Sequence, residues 1–172
     1  MTDALRPNLT IRVEIPANFT ALREVNRKAF GREAEADLVD ALRENGKFVL
    51  SLVALLDDQV VGHILFTDLL GSTQRMAGLA PMAVLPECQH RGIGRALVRT
   101  GLEYLHEQSY DAVVVLGHKD YYPMFGFRPA ANLGIRTQFD VPPEYLLVAP
   151  LSGAPIAPGN LRYQPEFEAL AP

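Results

Sequence analysis

Gln89, Arg91, Gly92, Gly94 and Arg95 crowd the junction between the apolar run Met82-Ala83-Val84-Leu85 and a helix-forming stretch that begins at Gly92. These residue types at that spacing make an anion site. A helix N-terminus leaves several N–H groups without intrahelical partners and carries the positive end of the macrodipole. Gly92 and Gly94 allow close backbone approach, and Arg91 and Arg95 set like charge against the dipole, a conflict that a docked polyanion relieves. The expected ligand is a diphosphate. The pattern G-x-x-x-x-G-K-[ST] is absent, which disfavours a nucleoside triphosphate. Gly92-Ile93-Gly94 opens like a dinucleotide fingerprint, but Leu97 holds the third glycine position and Asp111 begins a strand where an acid should end one.

What remains is Gln89-x-x-Gly92-x-Gly94 after a strand ending Val84-Leu85-Pro86. This resembles the acyl-CoA site of the GNAT superfamily of N-acetyltransferases, with signature Arg or Gln, two residues, Gly, one residue, then Gly or Ala. Downstream, Tyr121-Tyr122-Pro123-Met124-Phe125-Gly126-Phe127 resembles the family's Tyr-x-x-x-Gly-Phe segment. The resemblance covers roughly residues 9 to 168, and Gly159 to Phe167 is similar to the closing segment of one bacterial branch.

The resemblance implies an acetyl group moved from the thioester of acetyl-CoA, as acyl-donor cosubstrate, to a primary amine by direct attack, without a metal. It places Gln89, Arg91, Gly92, Ile93, Gly94 and Arg95 on the diphosphate, and the backbone of Met82, Ala83 and Val84 along the pantetheine arm, with an N–H aimed at the thioester carbonyl. Tyr122 becomes the general acid, with Tyr121 second. A model phenol near 10 donates uphill to a thiolate near 8.5, by about 2 kcal/mol, so Tyr122 is either tuned or only hydrogen-bonds. Several relatives carry a glutamate base on the strand before the turn, but Gly78 to Leu85 contains no carboxylate. His118, just past the next strand, is the candidate base, with a water chain as the alternative and a loop-capping histidine as the plain reading.

Other residues have plain readings. Arg99 and Glu103 form a solvated i,i+4 pair in the expected helix. Cys88 lacks identifiable histidine and acid partners and reads as buried structure. His63, His90 and His106 show no metal spacing, and no metal is expected. The competing functional class is a non-catalytic acyl-CoA-binding sensor or interaction module using the same pocket.

These groups must be positioned by one domain: 172 residues bury a sizeable core, and the reading is a single N-acetyltransferase domain over 1–172 with its core at about 9–168. With 16 basic against 20 acidic residues, a net charge of -4 and no basic cluster beyond Arg91 to Arg99, nucleic acid is not an expected partner, and a cationic acceptor is mildly favoured. The lone Cys88, the lack of signal-peptide character in Met1 to Asn8 and the lack of a spanning apolar run point to a cytoplasmic protein without a membrane partner. Periodicity predicts a strand from Leu9 to Glu14, a helix through Phe19, Leu22, Val25 and Phe30, and a second helix ending at Asn45-Gly46. Strands at Phe48 to Leu56, Val60 to Leu70 and Arg75 to Leu85 come next, then helix 92 to 108 and the strand Ala112 to Leu116. The right-handed crossover makes strands 75 to 85 and 112 to 117 parallel. The fold class is therefore α/β, a mostly antiparallel mixed sheet flanked by helices with a parallel central pair, and the resemblance implies a GNAT-like fold in which that pair is splayed. Beyond Phe127, prolines leave strands at Tyr145 to Leu151 and Leu161 to Tyr163, and an apolar edge strand there is compatible with a homodimer.

Overall fold

Local chemistry fixes the elements before packing does. Asp57 and Asp58 both take left-handed φ values (48° and 65°) and so close a two-residue hairpin, and Gly31, at φ 70°, ends the first helix. The computed structural model describes residues 8–170, so the reading of Met1 to Asn8 lies outside it but for Asn8. The chain runs β1 (Leu9–Val13), α1 (Phe19–Phe30), α2 (Ala34–Glu44), β2 (Phe48–Leu56), β3 (Gln59–Asp68), β4 (Met76–Val84), α3 (Ile93–Glu107), β5 (Ala112–Leu116), β6 (Arg128–Pro129), β7 (Ile135–Thr137), β8 (Leu146–Pro150) and β9 (Gly159–Leu161). The main sheet has the order β1-β2-β3-β4-β5-β8-β6, while β7 and β9 pair separately. As expected, its neighbours are antiparallel except β4 and β5, which run parallel across α3.

Strand alternation divides the core between the two faces of the sheet. Val113 and Val115 of β5 pack with Ile93, Leu97, Val98 and Leu105 of α3. Ala112 and Val114 face the other way, towards Leu38, Val39 and Leu42 of α2. Thus α3 and α2 lie on opposite faces, which decides what each can bring to a site cut through the sheet.

Two expectations for the carboxyl-terminal third need correction. β8 is no edge strand: it pairs with β5 on one side and β6 on the other, and the edge is the two exposed residues Arg128–Pro129. A two-residue edge holding a proline is a poor template for further pairing, so the argument for a homodimer there lapses. The strand expected at Leu161 to Tyr163 ends at Leu161, and Arg162 instead exchanges two backbone hydrogen bonds with Leu70, each 2.8 Å. Gln164 Nε2 donates to the Asp68 carbonyl at 2.8 Å, and the Tyr163 ring lies against Gly78, which has no room for a Cβ. This last segment therefore ties the first four strands to the rest.

Beneath α1, His63 is fully buried. Asn26 Nδ2 donates to the Leu22 carbonyl and to His63 Nδ1 (3.0 Å each), which leaves Nε2–H to donate to Ser51 Oγ at 2.8 Å. Burial, with the Arg43 charge second, lowers the imidazole pKa from 6.5 to about 3. The unfolded chain therefore binds a proton below 6.5 that the native state refuses until about 3, so stability falls as pH drops through that window. Denaturant titrations at pH 7 and pH 5 should show a loss of about 2 kcal/mol from this group, and His63→Gln should flatten the pH dependence. An equal slope in both proteins would refute it.

Candidate active site

β4 is paired along both edges only at its start. Met76 to Leu79 match Ala112 to Val115 of β5, and there the parallel pairing ends. Opposite β3, Ile64 faces Met82 while Phe66 faces Leu79, so Ala80 and Pro81 stand against Leu65 alone as a bulge. A bulge bends its strand and re-aims the residues beyond it, and here it opens the seam between β4 and β5. The Leu85 N–H donates to the Val61 carbonyl at 2.9 Å, so by antiparallel alternation Ala83 is the next residue bonded to β3. The main-chain groups of Met82 and Val84 accordingly point to the open side. Gln89 Nε2 takes the Val84 carbonyl at 3.1 Å, and the N–H and C=O of Met82 and the N–H of Val84 are left for a ligand. Of the three expected backbone contacts, Ala83 lines the cavity with its amide already spent on the sheet.

The strand leads straight into the glycine turn. His90 (φ 60°) and Gly92 (φ 84°) are both left-handed, and Gly92 caps α3 without any side-chain bond. The first intrahelical bond runs from the Ala96 N–H to the Gly92 carbonyl at 3.1 Å, leaving the amides of Ile93, Gly94 and Arg95 without helical acceptors. A Cβ on Gly94 would sit 3.0 Å from Tyr121 Oη and 3.5 Å from Met82 Sδ, so hydrogen alone keeps this cradle open. An extended arm ending in a diphosphate fits these groups.

The opening continues as a cavity of about 1150 Å³, beyond the ~300–1000 Å³ usual for one small-molecule ligand. Met82, Ala83, Val84, Gln89, Gly92, Ile93, Gly94 and Arg95 line it, as do Tyr121, Tyr122 and His118. Arg91 is exposed and is not part of the wall. Tyr122, only 7% exposed, lies edge-on to Phe127 with its ring pressed on Gly117. Its hydroxyl, unlike those of Tyr110 and Tyr163, has no hydrogen-bond partner among the described residues. Burial, then the neighbouring Tyr121, pushes its pKa well above that of an ordinary phenol. Tyr121 is raised too, by its partial burial, against the lowering effect of the Arg95 charge.

The His118 side chain is exposed at the cavity mouth, while its carbonyl accepts the N–H groups of Tyr121 (3.1 Å) and Tyr122 (3.3 Å). These bonds use its main chain and leave the role of the imidazole open, and the alternative cap at Asp120 is not formed. The Arg99 guanidinium lies 6.0 Å from the Phe125 ring centroid and makes no ion pair with Glu103 among the described residues. Cys88 is buried in the wall beside the turn. No group of three or more potential metal ligands, and no helix long and apolar enough to cross a membrane, occurs among the described residues. Sequence reasoning missed Glu35, a buried carboxylate lining the cavity from α2. Its only sequence signal was a glutamate on the apolar side of an amphipathic helix.

Comparison with known proteins agrees with this geometry. The model of the Acetyltransferase (GNAT) family matches residues 16–127. The chain is 39% identical over 145 residues to the Escherichia coli K12 protein named uncharacterized N-acetyltransferase YjhQ, covering 80% of each. It is 40% identical over 134 residues to YhbS of the same strain, similarly named, covering 76% of this chain and 80% of that protein. The crystal structure of Escherichia coli YhbS in complex with CoA superposes with a TM-score of 0.89 at 34% identity, over 98% of this chain and 96% of that one. A Brucella melitensis GNAT acetyltransferase in complex with acetyl-CoA gives 0.80 at 33% identity, over 93% and 98%.

Proposed function

The chain belongs to the GNAT family of acetyltransferases, and we propose that within it residues 1–172 act as one cytoplasmic domain transferring an acetyl group from acetyl-CoA to a primary amine. The observation that carries this is the unpaired main chain of β4 running into the uncapped N-terminus of α3. CoA and acetyl-CoA occupy the two similar crystal structures, and this chain offers such a ligand matching groups.

The diphosphate bonds the amides of Ile93, Gly94 and Arg95, with the Arg95 side chain at the cavity wall and Arg91 adding charge from outside it. The pantetheine arm pairs with Met82 and Val84 as an extra strand would. Met82, the first residue beyond the bulge, turns its N–H towards the thioester carbonyl, where negative charge develops as nitrogen attacks. The C–N bond forms, the C–S bond breaks, and the electron pair leaves on sulfur. Tyr122 donates a hydrogen bond to that sulfur. Burial raises its pKa, so handing over the proton outright is more uphill than for an ordinary phenol, and the hydroxyl works as a donor that stays protonated. Water relays the amine proton, with His118 at the mouth as candidate base; an unchanged pH profile in His118→Ala would remove that role.

Calorimetric titration with acetyl-CoA, followed by thiol release over a panel of amines, tests the reading. Tight binding with amine-dependent release is expected. Binding without release for any amine would favour a sensor, and no binding would refute the ligand assignment.

A further inference from the structure

The cavity passes from one face of the sheet to the other, and its far end holds a carboxylate that is ion-paired with an arginine outside the wall. Arg95 lines it on the α3 face, and Glu35, in the first turn of α2, lines it on the α2 face. Glu35 is 4% exposed and is the only carboxylate in the wall among the described residues. Apolar residues share the cavity wall with it, among them Ala29, Phe30, Ala80, Pro81, Val141 and Leu170. Its one side-chain hydrogen-bonding partner among the described residues is Arg32, whose Nε reaches both carboxylate oxygens at 3.0 Å and whose Nη2 reaches Oε1 at 2.5 Å. Arg32 does not line the cavity, and its side chain is 60% exposed. A carboxylate accepts about four hydrogen bonds, so Glu35 keeps acceptor capacity that this surface arginine does not fill. A carboxylate in the wall of a largely apolar passage, once released by its arginine, selects for a cation carried on an apolar stem.

We infer that the acceptor is a diamine. One nitrogen, uncharged, attacks the thioester, while the second, as an ammonium, bonds Glu35 across an aliphatic spacer lying along the apolar wall. Glu35 is then a specificity-determining residue, and Arg32 competes with the substrate for it. The nitrogen's proton ends on the CoA sulfur through water, and the distal ammonium is unchanged. The inference rests on the acetyl-transfer reading but is separable from it.

The test compares diaminobutane with butylamine and diaminohexane with hexylamine as acceptors, by kcat/KM, in wild type, Glu35→Gln and Arg32→Gln. A charge-assisted hydrogen bond implies a diamine preference of at least about tenfold in wild type. It should collapse in Glu35→Gln and persist or grow in Arg32→Gln. If Glu35 serves only the fold through its ion pair, the two variants behave alike, and the proposal falls. A diamine-to-monoamine ratio near one, with thiol still released, overturns the role of Glu35 and leaves acetyl transfer standing. If no amine releases thiol, calorimetry of diaminobutane against the CoA-saturated protein decides: Glu35-dependent binding keeps the diamine site and removes the transferase reading, and its absence overturns both.

Discussion

In a Tyr122→Phe protein, kcat for amine acetylation falls about a hundredfold, while affinity for acetyl-CoA stays close to that of wild type. The phenol ring is held by contacts that phenylalanine keeps, edge-on to Phe127 and pressed on Gly117, so only the hydroxyl is lost. That hydroxyl lacks a protein partner among the described residues, and its pKa is raised by burial. It therefore stays a donor across the working range, and the wild-type rate should show no alkaline limb from Tyr122 below about pH 10. Gly117→Ala should reproduce part of the loss, because the new Cβ and the Tyr122 ring cannot share that space. Steady-state kinetics with saturating amine decide the matter: a Tyr122→Phe enzyme with wild-type turnover sinks the assignment.

The second large effect is expected at the glycine turn. Gly94→Val should weaken CoA binding on the order of a hundredfold, the equivalent of losing about two charge-assisted hydrogen bonds. Even a Cβ at this position sits 3.0 Å from Tyr121 Oη, and the branches of valine would fill the space where the diphosphate meets the Ile93, Gly94 and Arg95 amides. Valine is no worse a helix former than glycine at a helix start, so the fold should survive. Calorimetry with CoA, beside a thermal melt of each protein, separates the two effects. Undiminished affinity in a folded Gly94→Val protein would mean that the phosphates bind elsewhere.

Much of this site could be read from residue order, because its chemistry is local. The turn from Gln89 to Arg95 and the tyrosine segment before Gly126 are contiguous, and the apolar runs around α3 dictate a parallel crossover. The break in the sheet was expected from family resemblance, but its cause was not identified. Pro81 inside a strand pattern was the available signal, since a proline there marks an edge or a bulge. Glu35 escaped because its burial arises only when α2 packs on the sheet, and helical periodicity does not distinguish a cavity wall from a core. Arg99 went wrong for a related reason: i,i+4 spacing to Glu103 is visible in the sequence, whereas the Phe125 ring it faces comes from a distant loop. The edge at β6 was missed because two residues give no period to detect.

The tie between Leu70 and Arg162 bears on how the protein is made. β5 joins the first four strands as soon as it is made, through Met76 to Leu79, but it has its antiparallel partner only once residues 146–150 exist. Asp68, Leu70 and Gly78 gain their last contacts only when Arg162, Tyr163 and Gln164 arrive. During synthesis, at about 5–20 residues per second, the sheet up to β5 emerges well before β8, and the open side of β5 is left for that interval as an unprotected strand edge. A ribosome-bound chain halted before residue 146 has left the exit tunnel should therefore be cut readily by protease along β5. Release of the last segment should close it in a single step, after the helices have already packed.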